Sequence, residues 1–369
     1  MSSLRRTCLH AFNAARGARF VDFAGWEMPV QFRSILEEHR VVRTAVGLFD
    51  VSHMGELAVR GPGAEAALDR LVTNEVAKLA PGRVLYSPMC HPHGGVVDDL
   101  LIYHRQPGDY LVCVNASNTA KDFAWMCEHA AGDRCIVEDV SSQWGLIALQ
   151  GPGAGATLQP LTAATLGDLK YYHFVENKVA GVPCLISRTG YTGERGFEIF
   201  CPWNDAEAIA LALENSGRAH GLAPCGLGAR DSLRLEAGFS LYGHEINDEI
   251  TPIQAGLDWT VKLRKASPFL GRDVLAQEKA NGPARRVAFF RTGDRRIVRG
   301  DTPVLAGGAT VGRVLSGTLS PMLNESIGSA LIEASALAAA HANPLTVDLR
   351  GQRVVLHLTR PPFLPLPKQ

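Results

Sequence analysis

Apolar and polar positions along the chain follow two periods, and an element ends wherever the period changes. Ser34-Ile-Leu-Glu37 is a capping-box pattern, in which each side chain satisfies a backbone N–H of the first helical turn. A helix is expected from there to about Gly47. The next stretch, "LFDVSHMGELAVRGPGAEAALDRLV", reads as an apolar strand, a turn at Gly61-Pro62-Gly63 and an Ala/Leu helix. About ninety residues later "WGLIALQGPGAGATLQPL" (Trp144–Leu161) repeats the strand, the G-P-G-A and the helix. Such self-similarity predicts a duplicated α+β unit with mainly antiparallel strands. Beyond Lys262 the pattern changes. A helix around Gly271–Asn281 gives way to "RRVAFFRT", "TPVLAGGATVGRVLSG", "SIGSALIE" and "TVDLRGQRVVLHLTR", short β-like runs separated by Gly-rich turns. They predict a separate small barrel or sandwich from about residue 280.

One strand pattern is interrupted by charge. "GGVVDDLLIYH" (Gly94–His104) places two adjacent aspartates inside an apolar run. Strand side chains alternate, so Asp99 is expected to share a face with Val97, Leu101 and Tyr103, and Asp98 with Val96, Leu100 and Ile102. Neither face looks like solvent. Burial raises the pKa of a carboxyl group unless a partner or ligand stabilises its charge. Such a group suits a hydrogen bond to a ligand nitrogen, or proton transfer near neutral pH. Capping a turn or pairing with an arginine is the structural alternative.

Composition narrows the class. The 369 residues are 46% hydrophobic, with 37 basic and 37 acidic side chains, enough for two or three domains with real cores. Zero net charge argues against a nucleic-acid or membrane-surface protein. The eight cysteines form no CxxC pair and sit mostly among apolar neighbours, as in "YLVCVN" and "VPCLIS". They read as reduced core residues of a cytosolic-type compartment. His91-Pro92-His93 could chelate a metal or simply turn between strands.

Two targeting readings and one cofactor reading fall away. Arg5, Arg6, Arg16 and Arg19, with no acid among them, resemble a mitochondrial presequence, but "FNAARGARFVDFAGWEMP" runs straight into what reads as folded protein. The uncharged stretch Trp144–Gly167 could span a bilayer by length, yet Gly151, Pro152, Gly153, Gly155 and Pro160 break it. "GPGAEA" and "GPGAGA" do not meet G-x-G-x-x-G, and their proline removes an N–H that a phosphate cradle would use. They read as strand-to-helix turns.

Three further segments carry more polar chemistry than a scaffold needs. "SRTGYTGERGFEIF" (Ser187–Phe200) reads as a hairpin with turns at Gly190 and Gly193, then a strand whose Glu198 lies among Phe197, Ile199 and Phe200. A carboxylate against apolar walls can take a bidentate hydrogen bond from an amidine-like N–H pair, such as a 2-aminopyrimidinone, and Tyr191 offers a flat ring beside it. An ordinary edge-strand Glu is the alternative. "GLGARDSLRLEAG" (Gly226–Gly238) puts Arg230 and Arg234 four apart on one helix face, either for a ligand carboxylate or for salt bridges with Asp231 and Glu236. "YLVCVNASNTAKDFAW" ends a strand at Asn115 and opens a helix near Asn118, whose asparagines can serve as caps. No Ser-His-Asp order, HExxH, Schiff-base lysine context or metal cluster stands out. The residues alone describe an α+β enzyme or binder of a polar heteroaromatic ligand.

Taken in order, "VDFAGWEMPVQF", "LFDVSHMGE", "GGVVDDLLIY", "VNASNTAKDFAW", "SRTGYTGERGFE", "GLGARDSLRLEAG" and "SGTLSPMLNESI" resemble the aminomethyltransferase, or T-protein, family of the glycine cleavage system. The resemblance runs from Thr7 to about Phe363, nearly the whole chain. It implies a three-lobed, cloverleaf-like α+β protein: a folate-binding region of two lobes, residues 1–279, and a C-terminal β-barrel, residues 280–369. It implies an enzyme that takes the aminomethyl group from the lipoyl arm of the H-protein, releases ammonia, and makes 5,10-methylenetetrahydrofolate. Tetrahydrofolate would be the co-substrate, with no metal, nucleic acid or membrane involved. So complete a match near the N-terminus implies a bacterial cytoplasmic protein, or a mitochondrial-matrix one if the source is eukaryotic.

The resemblance also implies roles. Asp99, the second Asp of the pair, would lie near folate N10 and assist its attack on the methylene carbon. Glu198 would recognise the pterin, and Arg230 would be another pocket residue. Further folate contacts map onto Met54, Tyr86, Leu101, Tyr103, Asn115, Tyr171, Tyr191 and Tyr242. Many relatives end near "PFYR" or "PFVR"; here the ending is "PPFLPLPKQ", with Pro365 where that Arg stands, so no C-terminal contact to the folate tail carries over. The usual "TPL" is "TCL" at Thr7–Leu9. Two other activities share the fold: a stand-alone tetrahydrofolate-dependent demethylase, and a non-catalytic folate-binding protein for iron–sulfur cluster maintenance. The latter carries a K-G-C-aromatic-x-G-Q signature that this sequence lacks.

Overall fold

The computed structural model describes residues 4–367, and the duplication read from the sequence is the basis of its architecture. In the first sheet the spatial order is Val84–Cys90, Val96–Gln106, Asp109–Val114, Gly55–Arg60 and Ile136–Asp139. In the second it is Phe174–Val179, Val182–Ser187, Gly196–Pro202, Trp144–Gln150, Val46–Asp50 and Leu222–Pro224. Both follow one path. A strand leads through G-P-G into a helix (Ala64–Leu71 or Ala154–Leu158). A three-stranded meander then returns beside that strand, a second helix follows (Thr119–His129 or Ala206–Gly217), and a last strand lies on the far side. The copies differ in one strand. Val46–Asp50 inserts between the G-P-G strand and the last strand of the second copy, so the N-terminal segment belongs to the second lobe.

The two G-P-G turns are conformational twins. Gly61 and Gly151 have φ of +128° and +126°, and a Cβ on them would run into the carbonyl oxygens of Arg134 and Ala45. Only glycine fits such a position without strain. Half of the capping box is present: Ser34 Oγ accepts from the Glu37 N–H at 3.2 Å. Its helix, Ile35–Thr44, stops short of Gly47 because sheet pairing takes over; Gly47 lies opposite Gln150.

The third lobe is a seven-stranded antiparallel sheet ordered Gln352–Val355, Leu345–Leu349, Pro303–Ala306, Ala309–Ser320, Glu325–Glu333, Arg285–Arg291 and His357–Thr359. One short segment, 352–359, supplies both edges: its first half pairs with Leu345–Leu349 and its second with Arg285–Arg291. The sheet thereby closes on itself as a barrel, which removes its free edges.

Two contacts lock the lobes around a common centre. An apolar core containing Val84, Tyr103, Leu146, Phe174, Phe200 and Leu233 is shared by both sheets and the helix Leu227–Ala237. That helix also carries charge into the barrel. Fully buried Arg234 donates to Glu245 and to Ser316 Oγ, each at 2.8 Å, while Glu236 accepts from Ser320 and from Arg43. Such buried ion pairs are strongly position-specific, because removing one partner strands the other's charge.

Candidate functional site

The aspartate pair lies on the first-lobe strand Val96–Gln106, where that sheet approaches the second lobe. A bulge corrects the simple alternation. Met89 is opposite Asp98 and Cys90 is opposite Val96, so Val97 has no cross-strand partner. Val97 packs in the first-lobe core with Leu100 and Ile102, on the Asp98 side, and not on the Asp99 face. Asp99 keeps Leu101 and Tyr103, which border the inter-lobe core.

Asp98 is fully buried and accepts from the Asn115 backbone N–H at 3.0 Å, Asn115 Nδ2 at 2.8 Å and Asn118 Nδ2 at 2.7 Å. The asparagines are therefore not caps. Asn118 occupies the N-cap position of Thr119–His129, but its side chain is committed to Asp98. Asp99 is half-buried; it accepts from the Tyr86 hydroxyl at 3.0 Å and from Asn115 Nδ2 at 2.8 Å. Burial, with the neighbouring Asp98 charge second, pushes the Asp99 carboxyl up to about 7. A carboxyl poised there can both take and return a proton at neutral pH.

The second lobe supplies the opposite wall. Glu198 lies on Gly196–Pro202, which pairs with strands on both sides, so it is not an edge residue. It is buried and accepts from the Thr189 hydroxyl; burial raises its pKa, with Thr189 and Arg230 opposing. Arg230 and Arg234 share a helix but not a role. Arg234 is tied to Asp231 and Glu245, whereas half-buried Arg230 lies 4.8 Å from the Tyr191 ring. The Tyr191 hydroxyl in turn donates to the Ser240 carbonyl. Tyr86, Tyr191 and Asp99 lie close enough to perturb one another's titration.

The remaining sequence candidates divide. Half-buried Met54 and Leu101 fringe the inter-lobe core, and Tyr171 packs edge-on against Tyr172 at 4.6 Å. Tyr103 is fully buried against Phe174 and Phe200, in the wall behind Glu198 rather than at an open surface. Tyr242 lies beside the carboxyl pair, close enough for Asp98 to bear on its titration. Its hydroxyl accepts from Lys121 at 2.7 Å and donates to Asp248 at 3.1 Å.

Several residues escaped the sequence reading. Tyr172 neighbours both Asp99 and Glu198 and holds a positive φ of +58°, a conformation that a non-glycine residue keeps only when its surroundings impose it. The "YY" doublet was its only signal. His53 is buried with Nδ1 unpartnered, and burial together with Arg230 pulls it down to about 3, so it is neutral. Trp259 stacks over Tyr86 at 6.0 Å and remains 55% exposed at the rim. His91 and His93 form the turn between two strands, stacked on each other, with His91 bonded to Asp248 at 2.9 Å. Among the described residues no group of three or more His, Cys, Asp or Glu is arranged to hold a metal. All eight cysteines are free. No helix among the described residues is long and apolar enough to cross a membrane. The C-terminal segment reaches the site's edge with apolar groups: Leu366 packs at Gly193, and the Phe363 N–H donates to the Glu236 carbonyl at 3.0 Å.

Comparison with known proteins agrees with this layout. Residues 9–265 match the family model described as "GCVT N-terminal domain", and residues 285–364 match "Glycine cleavage T-protein C-terminal barrel domain". The chain belongs to the glycine cleavage T-protein family. Among curated T-proteins, the aminomethyltransferase of Geobacillus kaustophilus is 50% identical over 98% of each chain. That of Moorella thermoacetica is 46% identical over the full length of both. The crystal structure of the glycine cleavage system aminomethyltransferase T from Bartonella henselae superposes with a TM-score of 0.91 at 33% identity, over 98% of each chain. A T-protein fold of two α+β lobes and a barrel is thereby shown, and so is its place among aminomethyltransferases.

Proposed function

We propose that this T-protein transfers the methylene carbon of aminomethyl-dihydrolipoyl H-protein to tetrahydrofolate, giving 5,10-methylenetetrahydrofolate, ammonia and dihydrolipoyl H-protein. The observation that carries the reading is Asp99, a half-buried carboxyl held by Tyr86 and Asn115 opposite the lobe that presents Glu198 and Arg230. In the reaction two C–N bonds form, to folate N5 and N10, while the C–S and C–NH2 bonds break. The two N–H protons of tetrahydrofolate end on ammonia and the lipoyl thiol. The difficulty is that N10 is a weakly basic arylamine. Holding it against the carbon supplies most of the acceleration, and a carboxylate beside it stabilises the developing positive charge. A carboxyl titrating near 7 can then accept the proton that N10 loses and pass it on.

Glu198 would take the pterin's amidine-like N–H pair, with Tyr191 as the flat wall and Arg230 beside it. Met54, Tyr86, Leu101, Tyr103, Asn115, Tyr171 and Tyr242 would complete the folate surroundings, Tyr103 from behind. Residues 1–279 would form the folate-binding region and 280–369 the barrel that braces it. A bacterial cytoplasmic setting, where H-protein and folate are both at hand, fits the relatives. The test is turnover of purified protein with aminomethylated H-protein and tetrahydrofolate, scored for methylenetetrahydrofolate and ammonia. Methyltetrahydrofolate from a free methyl donor without any lipoyl protein would select the demethylase instead. Folate binding without turnover would select the non-catalytic reading.

A further inference from the structure

Behind Asp98 lies a third carboxyl group that the chemistry above does not use. Asp122, on the helix Thr119–His129, is fully buried, and no N–H or O–H among the described residues donates to either of its carboxyl oxygens. A buried carboxylate left in that condition is costly. Its neighbour within hydrogen-bonding reach is another carboxyl, Asp98. The helix fixes that approach: the Asp122 N–H donates to the Asn118 carbonyl at 2.7 Å, and Asn118 Nδ2 donates to Asp98 Oδ1 at 2.7 Å. Two buried carboxylates cannot face each other with both charges intact, whereas a carboxylic acid and a carboxylate make a short, strong hydrogen bond. Three N–H groups already point at Asp98 and none at Asp122, so the pair's negative charge is better held on the Asp98 side.

We propose that Asp122 is a permanently protonated positioning residue. Its O–H donates to Asp98, the pair shares one proton, and Asp98 in turn fixes the Asn115 amide that orients Asp99. The last link is direct, since Asn115 Nδ2 touches both Asp98 and Asp99 at 2.8 Å. The role assigned to Asp99 rests on the proposed folate reaction; the shared proton does not. Other ionisable groups around the trio are Lys121 on the same helix, Tyr86 on the adjacent strand, Tyr172 and Tyr191 from the second lobe, and Tyr242 and Asp248 from the segment leading to the barrel. Lys121 does not neutralise Asp122 by direct contact. Its Nζ donates to the Val97 carbonyl at 2.6 Å and to the Tyr242 hydroxyl at 2.7 Å, and the acid nearest it is Asp248 at 3.9 Å. Burial, then the Asp98 charge, raises the Asp122 carboxyl to about 11, consistent with a proton that stays through the neutral range.

The experiment is infrared difference spectroscopy of the full-length protein against Asp122→Asn, followed from pH 6 to 9. Wild type should show the C=O stretch of a protonated carboxylic acid at pH 9, absent from Asp122→Asn. In Asp98→Asn, where the facing charge is gone, that band should titrate at lower pH. A wild-type protein without the band at pH 9 overturns the proposal. Turnover supplies the second arm. Asp122→Asn keeps a donor to Asp98 and should stay within about twofold of wild type, while Asp122→Leu has none and should lose about 10- to 100-fold in kcat. An Asp122→Asn variant as slow as Asp122→Leu, with both folded, also overturns the positioning role. If wild type makes no methylenetetrahydrofolate at all, the folate reading fails, and the infrared band still decides the proton.

Discussion

Replacing Asp99 by Asn should make the protein more stable and less active, and the stability gain should depend on pH in one direction only. In the folded state the Asp99 carboxyl titrates at about 7, against 3.8 for an unperturbed aspartate. Between those values the folded chain keeps a proton that the unfolded chain has released. Stability contributed at this site is therefore full below about pH 4, falls as pH rises, and reaches its lowest value above about pH 7. A shift of about three pH units corresponds to roughly 4 kcal/mol when the carboxyl is fully ionised. Asn removes that penalty but can accept from only one of Tyr86 and Asn115 through its single oxygen, which costs on the order of 1–2 kcal/mol. The net gain at pH 8 should be about 2–3 kcal/mol, shrinking to nothing or reversing by about pH 5. Urea unfolding of wild type and Asp99→Asn at pH 5, 6.5 and 8 measures it, with the m-value checked because a three-lobed chain need not unfold in one step. An Asp99→Asn protein less stable than wild type at pH 8, or a gap independent of pH, would refute the electrostatic reading of the site.

Asp98→Asn should do the reverse, losing about 1–3 kcal/mol because three donors then face a group that can accept fewer of them; chemical denaturation at pH 7 checks it. Arg234→Met should destabilise by about 3–5 kcal/mol by stranding buried Glu245, whereas Arg230→Met should leave the melting temperature nearly unchanged and raise the KM for tetrahydrofolate. Glu198→Gln should weaken tetrahydrofolate binding roughly 10- to 100-fold by calorimetry, the worth of a charge-assisted hydrogen bond pair. Gly151→Ala should cost more than about 2 kcal/mol, since its new Cβ meets the Ala45 carbonyl at a positive φ; a neutral result would contradict the turn geometry.

What the sequence disclosed was local or repeated. The Ser34 cap, the twin G-P-G turns and the late run of short strands each rest on rules spanning a few residues, and each stands in the structure. Periodicity reads Leu48–Asp50 into the first repeat, whereas strand Val46–Asp50 joins the second sheet, because insertion into a neighbouring sheet leaves no mark on periodicity. Simple alternation puts Val97 on the wrong face because a bulge is a property of two paired strands and leaves no mark on one alone. The asparagines read as caps serve Asp98, and the two arginines read as one face have separate duties, because both outcomes depend on partners far away in sequence. Tyr172, His53 and Asp122 went unnoticed for the same reason. Each becomes unusual only when the fold buries it beside another charge.

The most direct test follows a labelled methylene carbon through a single turnover. H-protein carrying a carbon-13 aminomethyl group is mixed with tetrahydrofolate and either wild-type or Asp99→Asn protein, and the label is tracked by NMR. Wild type should move the carbon to 5,10-methylenetetrahydrofolate with one equivalent of ammonia, and Asp99→Asn should do so at least about tenfold more slowly while binding folate comparably. Label that stays on the H-protein with wild type, or moves equally fast with both proteins, would contradict the account.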